Sequence, residues 1–196
     1  RFLTMSAAVP AEGKNATYFR LMTEGKNPRG IPGAKFIDNV EQFLKDEQIE
    51  SVLGAMNELY SKYKYMEGSI ERSRSIYKGK IPELEQTLEL VKLMKMKLDN
   101  DEEMHTNFSL CDTIYAKAKV DLSKEKVVLY VGAKILIEYT YAEAQELLGS
   151  QLESTFEKVK ELDEDLAFLR NNTITTEVNM SRLFNYSVKL KQAAKA

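Results

Sequence analysis

Every seventh residue from Ile49 is apolar: Met56, Tyr63, Ile70, Tyr77, Leu84, Val91 and Leu98 follow in order. A companion series, Val52, Leu59 and Met66, lies three residues further on, and beyond Tyr77 the companion moves to four, at Ile81 and Leu88. This heptad seam with one change of face predicts a long coiled-coil helix. The change of face falls at Gly79 and Pro82. A proline inside a helix loses a backbone hydrogen bond and crowds the preceding turn, so a kink or local unwinding is expected between about residues 78 and 82. A short amphipathic piece precedes the seam, with Phe36, Ile37, Val40, Phe43 and Leu44 at helical spacing, so the first helix is assigned to residues 36–100.

A second seam advances by alternating fours and threes through Leu148, Leu152, Thr155, Val159, Leu162, Leu166, Leu169, Thr173, Thr176, Met180, Leu183, Ser187 and Leu190. Thr140 and Glu143 are spaced as a capping box in front of it. The second helix is therefore assigned to 141–192, with 193–196 as a terminal tail. Both stripes read as core seams, not cofactor sites.

Between the helices the period drops to two. Phe108 and Leu110 alternate with polar residues, as do the apolar positions of 114–120, while Val127–Val131 is apolar on both faces. Ile135, Ile137 and Tyr139 resume the alternation, and Asp112-Thr113 and Gly132-Ala133 supply turns. Two β-hairpins are expected over 101–140. Residues 1–35, rich in Gly, Pro, Asn and Thr, read as a flexible N-terminal tail.

The fold class is thus mostly α with a small β part: an antiparallel coiled-coil hairpin joined by two β-hairpins. The helical stretches are equal in length, and pairing them puts Leu98 beside Tyr141 and Ile49 beside Leu190, in an arm of roughly 75 Å at about 1.5 Å per residue. Isolated hairpins are marginal in water and their edges invite pairing. Either they pack on the base of their own coiled coil, or several chains pool them into a β-barrel platform.

Charge adds little to this picture. Lys plus Arg number 28 and Asp plus Glu 30, a net charge of −2, with no basic footprint for nucleic acid or membrane. No apolar run is long enough to span a bilayer, and the N-terminal residues lack the pattern of a signal peptide. The single cysteine, Cys111, suits a reducing compartment and reads as a small buried hydrophobe. The single histidine, His105, reads as a solvated loop residue. Asn-x-Ser/Thr triplets at Asn15, Asn107, Asn171, Asn179 and Asn185 read as chance in a cytoplasmic protein. No catalytic, metal or cofactor site emerges, and the chain is not expected to be an enzyme.

Several segments resemble the prefoldin family, in particular its eukaryotic α-type subunits. They are Gly30-Ile31-Pro32 with Phe36, Tyr63–Glu67, Ile81-Pro82-Glu83 with Thr87-Leu88-Glu89, Leu129–Tyr139 reading LYVGAKILIEY, Glu143-Ala144, and Thr175–Met180 reading TTEVNM. The resemblance covers about residues 28–190, and the strand and TTEVNM segments together with the Ile-Pro-Glu interruption make it specific. Tyr130 and Tyr186 stand where close relatives carry tryptophan, and each keeps an aromatic ring. The resemblance implies a hetero-hexamer of two α-type and four β-type subunits, with hairpins joined in a double β-barrel platform and arms projecting from it. It also implies capture of unfolded actin and tubulin and their delivery to the cytosolic chaperonin without ATP. Fold and pattern combined then nominate Ile49, Val52, Leu53, Met56, Leu183, Phe184, Tyr186 and Leu190 at the arm tip as client-binding residues. Assembly contacts fall to Phe108, Leu110, Ile114, Val127, Leu129, Val131, Ile135, Ile137 and Tyr139. The alternative is a structural or cytoskeletal adaptor coiled coil without holding activity.

Overall fold

A computed structural model describes residues 20–44 and 47–193. In chain order the elements are strands β1 (Met22–Lys26) and β2 (Pro32–Ala34), the single turn α1 (Val40–Phe43), helix α2 (Ile49–Asp99), strands β3 (Met104–Cys111), β4 (Ile114–Val120), β5 (Lys126–Gly132) and β6 (Ile135–Thr140), and helix α3 (Tyr141–Ala193). Three antiparallel two-stranded sheets form, β1–β2, β3–β4 and β5–β6. The chain divides into two compact units, one of residues up to Ser73 with those from Glu161, the other Arg74–Lys160.

In the first unit α2 and α3 run antiparallel. Arg170 of α3 pairs with Glu67 of α2 at 3.3 Å, and Glu177 lies near Tyr60 and raises its hydroxyl pKa, so seven residues up α2 match seven down α3. The core gathers Val52, Met56, Leu59 and Tyr63 from α2, Leu169 and Leu183 from α3, and Leu21 and Ile37 from the N-terminal segment. Thr173 and Thr176 sit buried among these apolar residues because their hydroxyls donate to the carbonyls of Leu169 and Asn172, one turn back.

That N-terminal segment departs from the flexible tail expected over 1–35. Residues 22–26 and 32–34 are paired strands, and Leu21 is buried in the core. Gly30, at φ +82°, turns the chain between them, where a side chain would be strained. The Gly/Pro composition thus encodes a tight turn and an edge strand. Residues 1–19 of the expected tail lie outside the described residues, as do 194–196 of the terminal tail; Ala193 is still helical.

The first helix also differs from its expected 36–100 span. Phe36 and Ile37 lie outside the helices, α1 is one turn capped by the Asn39 side chain, and α2 begins only at Ile49. Nor is the expected unwinding near Pro82 present: α2 continues as one helix from Ile49 to Asp99 with Pro82 inside it. The carbonyl that loses its partner belongs to exposed Lys78, where water can replace the missing bond.

In the second unit Val91, Leu84, Leu88 and Leu98 of α2 pack with Tyr141, Ala144 and Leu148 of α3, joined by Val127, Leu129 and Tyr139 of the β5–β6 hairpin. The capping box forms: the Glu143 amide donates to the Thr140 hydroxyl at 3.3 Å and the Thr140 amide to the Glu143 carboxylate at 2.9 Å. The Thr140 amide foremost, and the Thr140 hydroxyl, which also donates to the carboxylate at 2.9 Å, hold the Glu143 carboxyl below its ordinary pKa. The β5–β6 turn places Ala133 and Lys134 at φ +50° and +61°, a hand that matches strand twist even though neither residue is glycine. His105 lies within β3 and not in a loop, 3.3 Å from Glu103. Cys111, expected to be buried, ends β3 exposed to solvent.

Candidate functional site

The nominated assembly residues divide by strand face. On β5–β6, Val127 pairs with Tyr139 and Leu129 with Ile137. Val127, Leu129 and Tyr139 cover the helices of their own unit. The opposite face carries Val128 opposite Glu138 and Tyr130 opposite Leu136, with Val128, Tyr130 and Leu136 exposed. Val131, Ile135 and Ile137 are exposed as well. Both arrangements weighed for a strand apolar on two sides therefore have a face here: one is covered in cis, the other is open. On β3–β4 the large side chains of Phe108, Leu110, Ile114 and Tyr115 are all exposed. Strict alternation missed Tyr115, Val128, Tyr130 and Leu136; for the last three the signal was the unbroken apolar character of 127–131 and 135–137.

The nominated client-binding residues also divide. Val52, Met56 and Leu183 are 0%, 1% and 0% exposed, with Ile49 and Leu53 packed against the same cluster and Tyr186 half-buried. Phe184 and Leu190 are open, at 60% and 45%. Ile174, Val178 and Val188 of α3 are exposed too. They lie off the heptad seam, at helical spacing with Phe184, and reading the seam alone passed over them.

The cover over Val52, Met56 and Leu183 is the segment 21–38, held by polar side chains of α3. Asp165 accepts from the Asn27 side chain and from the Arg29 guanidinium. Arg29 also donates to the Glu161 carbonyl at 2.8 Å, and Asp165 beside it pushes the guanidinium pKa up. Asn172 accepts the Ala34 amide at 2.6 Å. Asn179 accepts the Ile37 amide at 3.0 Å and donates to the Lys35 carbonyl at 2.8 Å. Arg182 donates to the carbonyls of Ile37 at 2.7 Å and Asp38 at 2.9 Å and lies 5.0 Å over the Phe36 ring. On the α2 side the Tyr63 hydroxyl donates to the Pro32 carbonyl at 2.9 Å. Asp165, Asn172 and Asn179 are seven residues apart and buried, a polar stripe beside the apolar seam. A heptad of polar residues is the signal that finds it; taken singly, Asn179 stands out only in an Asn-x-Ser/Thr triplet and in the TTEVNM segment.

On the flank of this unit Lys64 at 3.0 Å, above all, and Arg170 hold the Glu67 carboxyl below its usual range, against burial that raises it. Among the described residues, no three His, Cys, Asp or Glu side chains gather closely enough to hold a metal ion, and no helix is long and apolar enough to cross a membrane.

The family described as Prefoldin subunit matches residues 63–186. Prefoldin subunit 3 of Homo sapiens is 42% identical over 163 residues, spanning 82% of this chain and 82% of its own length. Prefoldin subunit 3 of Saccharomyces cerevisiae is 38% identical over 179 residues, spanning 87% and 90%. A chain of the filamentous PFD of Methanocaldococcus jannaschii, solved by cryo-electron microscopy, is 20% identical with a TM-score of 0.47, covering 71% of this chain and 99% of that one. With the family match spanning more than half the sequence and the relatives aligned over most of their own length, the chain belongs to the prefoldin family of non-enzymatic co-chaperone subunits.

Proposed function

We propose that the chain is an α-type subunit of a cytoplasmic hetero-hexamer of two α-type and four β-type prefoldin subunits. In this reading both hairpins, β3–β4 and β5–β6, join a shared β-barrel platform. The hexamer holds unfolded proteins, actin and tubulin foremost, and passes them to the cytosolic chaperonin without ATP.

One observation carries the assembly part. Large apolar residues stand open on the hairpins of the single chain, among them Phe108, Leu110, Ile114, Tyr130 and Leu136. Two-stranded sheets with such faces and free edges are completed by further strands. Partner hairpins supply cover and edge pairing at once.

Client contact is assigned to the first unit. It begins on the open α3 face of Phe184, Ile174, Val178 and Val188 and on exposed Leu190 at the end of the seam, and extends to the covered residues Ile49, Val52, Leu53, Met56, Leu183 and Tyr186. A holding protein needs exposed apolar area that is small enough to avoid self-association. The test compares initial aggregation rates of denatured actin diluted into wild-type hexamer and hexamer with Phe184→Ser and Val188→Ser in this chain. Protection at limiting chaperone is expected to fall in part, since other arms share the load, and ATP is expected to change nothing. Equal protection would remove this face as a client site.

A further inference from the structure

The covering segment 21–38 is a strap over the first unit, and from Ala34 onward α3 grips it by its backbone. Asn172 takes the Ala34 amide, Asn179 the Ile37 amide and the Lys35 carbonyl, and Arg182 the carbonyls of Ile37 and Asp38. The spacing suits any extended chain. From Asn172 to Asn179 is about 10.5 Å along a helix, and from Ala34 to Ile37 is about 10 Å in extended backbone. Bonds to main-chain atoms are open to every sequence except proline at the donor positions.

Beneath the strap lie Val52, Met56 and Leu183, the apolar residues assigned to client contact, and the strap's own Leu21 and Ile37 fill the place a client side chain would take. An unfolded segment that replaced the strap would restore the bonds of Asn172, Asn179 and Arg182, and the exchange gives up chiefly the bonds of Asp165 to Asn27 and Arg29. The strap is held by the Asp165 bonds to Asn27 and Arg29 and by buried Leu21 and Ile37, while its two-stranded sheet adds little, being marginal on its own.

We propose that Asn172, Asn179 and Arg182 form a receptor for extended polypeptide main chain, closed in cis by residues 21–38, and that an unfolded client segment displaces this strap to reach the receptor and the apolar seam below. This rests on the client-binding reading above. A receptor that reads backbone gives a holding chaperone sequence-independent grip, and its internal occupant keeps the seam covered when no client is present.

The test is amide hydrogen exchange in the assembled hexamer, with and without saturating reduced, carboxymethylated α-lactalbumin as a permanently unfolded probe. The amides of Ala34 and Ile37 are expected to exchange at least tenfold faster with the probe bound, while those of α2 near Met56 stay protected. Protection gained on α3 around Phe184 with Ala34 and Ile37 unchanged would leave client binding standing and overturn the strap. No change anywhere in this unit would overturn both. Ile37→Ser, which weakens the strap and leaves the receptor whole, should tighten probe binding about 5–10-fold as the open fraction rises. Ala34→Pro, which removes the amide bonded to Asn172 and leaves buried Leu21 and Ile37 in place, should act in the same direction and serves if Ile37→Ser fails to fold. Adding Asn179→Ala to either variant should reverse the gain several-fold. Unaltered affinity in the folded single variants overturns the strap, and an unaltered double variant overturns the main-chain receptor.

Discussion

Asn179 holds Ile37 by its backbone, accepting the amide at 3.0 Å and donating to the Lys35 carbonyl two residues earlier. One side chain thereby satisfies a donor and an acceptor of a segment with few partners of its own. Asn179→Ala leaves both groups unpaired in a partly buried place, a cost of about 1–3 kcal/mol. Native-state amide exchange at Ile37 should show local opening easier by that amount, with α2 near Tyr63 little changed. Unchanged exchange at Ile37 would mean that the side chain does not hold the strap.

Pro82 lies inside an unbroken helix, so its loss of a hydrogen bond and its crowding are not offset by a break in the chain. Pro82→Ala should raise the thermal midpoint of the complex, by up to about 3 kcal/mol in this chain's contribution. A lower midpoint would show that the change of face in the seam depends on the proline.

Tyr130 and Leu136 are cross-strand neighbours on the open face of β5–β6, whereas Leu129 covers its own helices. Tyr130→Lys with Leu136→Lys should abolish assembly and leave helical circular dichroism intact. Leu129→Lys should additionally destabilise its own unit, because it places a charge against the cluster of Val91, Tyr141, Ala144 and Leu148. Normal assembly of the Tyr130/Leu136 variant would contradict a platform built on that face.

The capping box carries a pH signature. The folded Glu143 carboxyl sits below its ordinary value of 4.5, so its stabilising contribution is complete above that value and is lost as pH falls through the lower folded one. A Glu143→Gln hexamer should melt below wild type near neutral pH, and the gap should close in acid. Thr140→Ala, which removes the hydroxyl acceptor, should cost about 1 kcal/mol. A gap that persists at low pH would place the effect outside the carboxylate.

The long helices and hairpins were legible because each imposes its own period on apolar residues: sevens from Ile49 to Leu98, twos around Phe108 and Ile137. The strap was not. Its anchors Asp165, Asn172 and Asn179 repeat at seven, but polar residues on a helix read as solvated surface until something is seen packed on them. Its own residues are turn formers, which composition alone assigns to a tail. Which face of β5 is covered was equally hidden, since Val127 and Val128 differ only in what each meets. The covered state of Val52, Met56 and Leu183 follows from the same strap, so the seam marks apolar residues correctly without revealing that they are closed.

The central claim is that this chain works as one subunit of a mixed prefoldin complex. Native mass spectrometry of the complex purified through this chain, from the cells that make it, tests that most directly. The account predicts a six-chain particle containing several different prefoldin subunits, with this chain as an α-type member. A monomer, or a dimer of this chain alone, would contradict it and favour a structural coiled-coil adaptor.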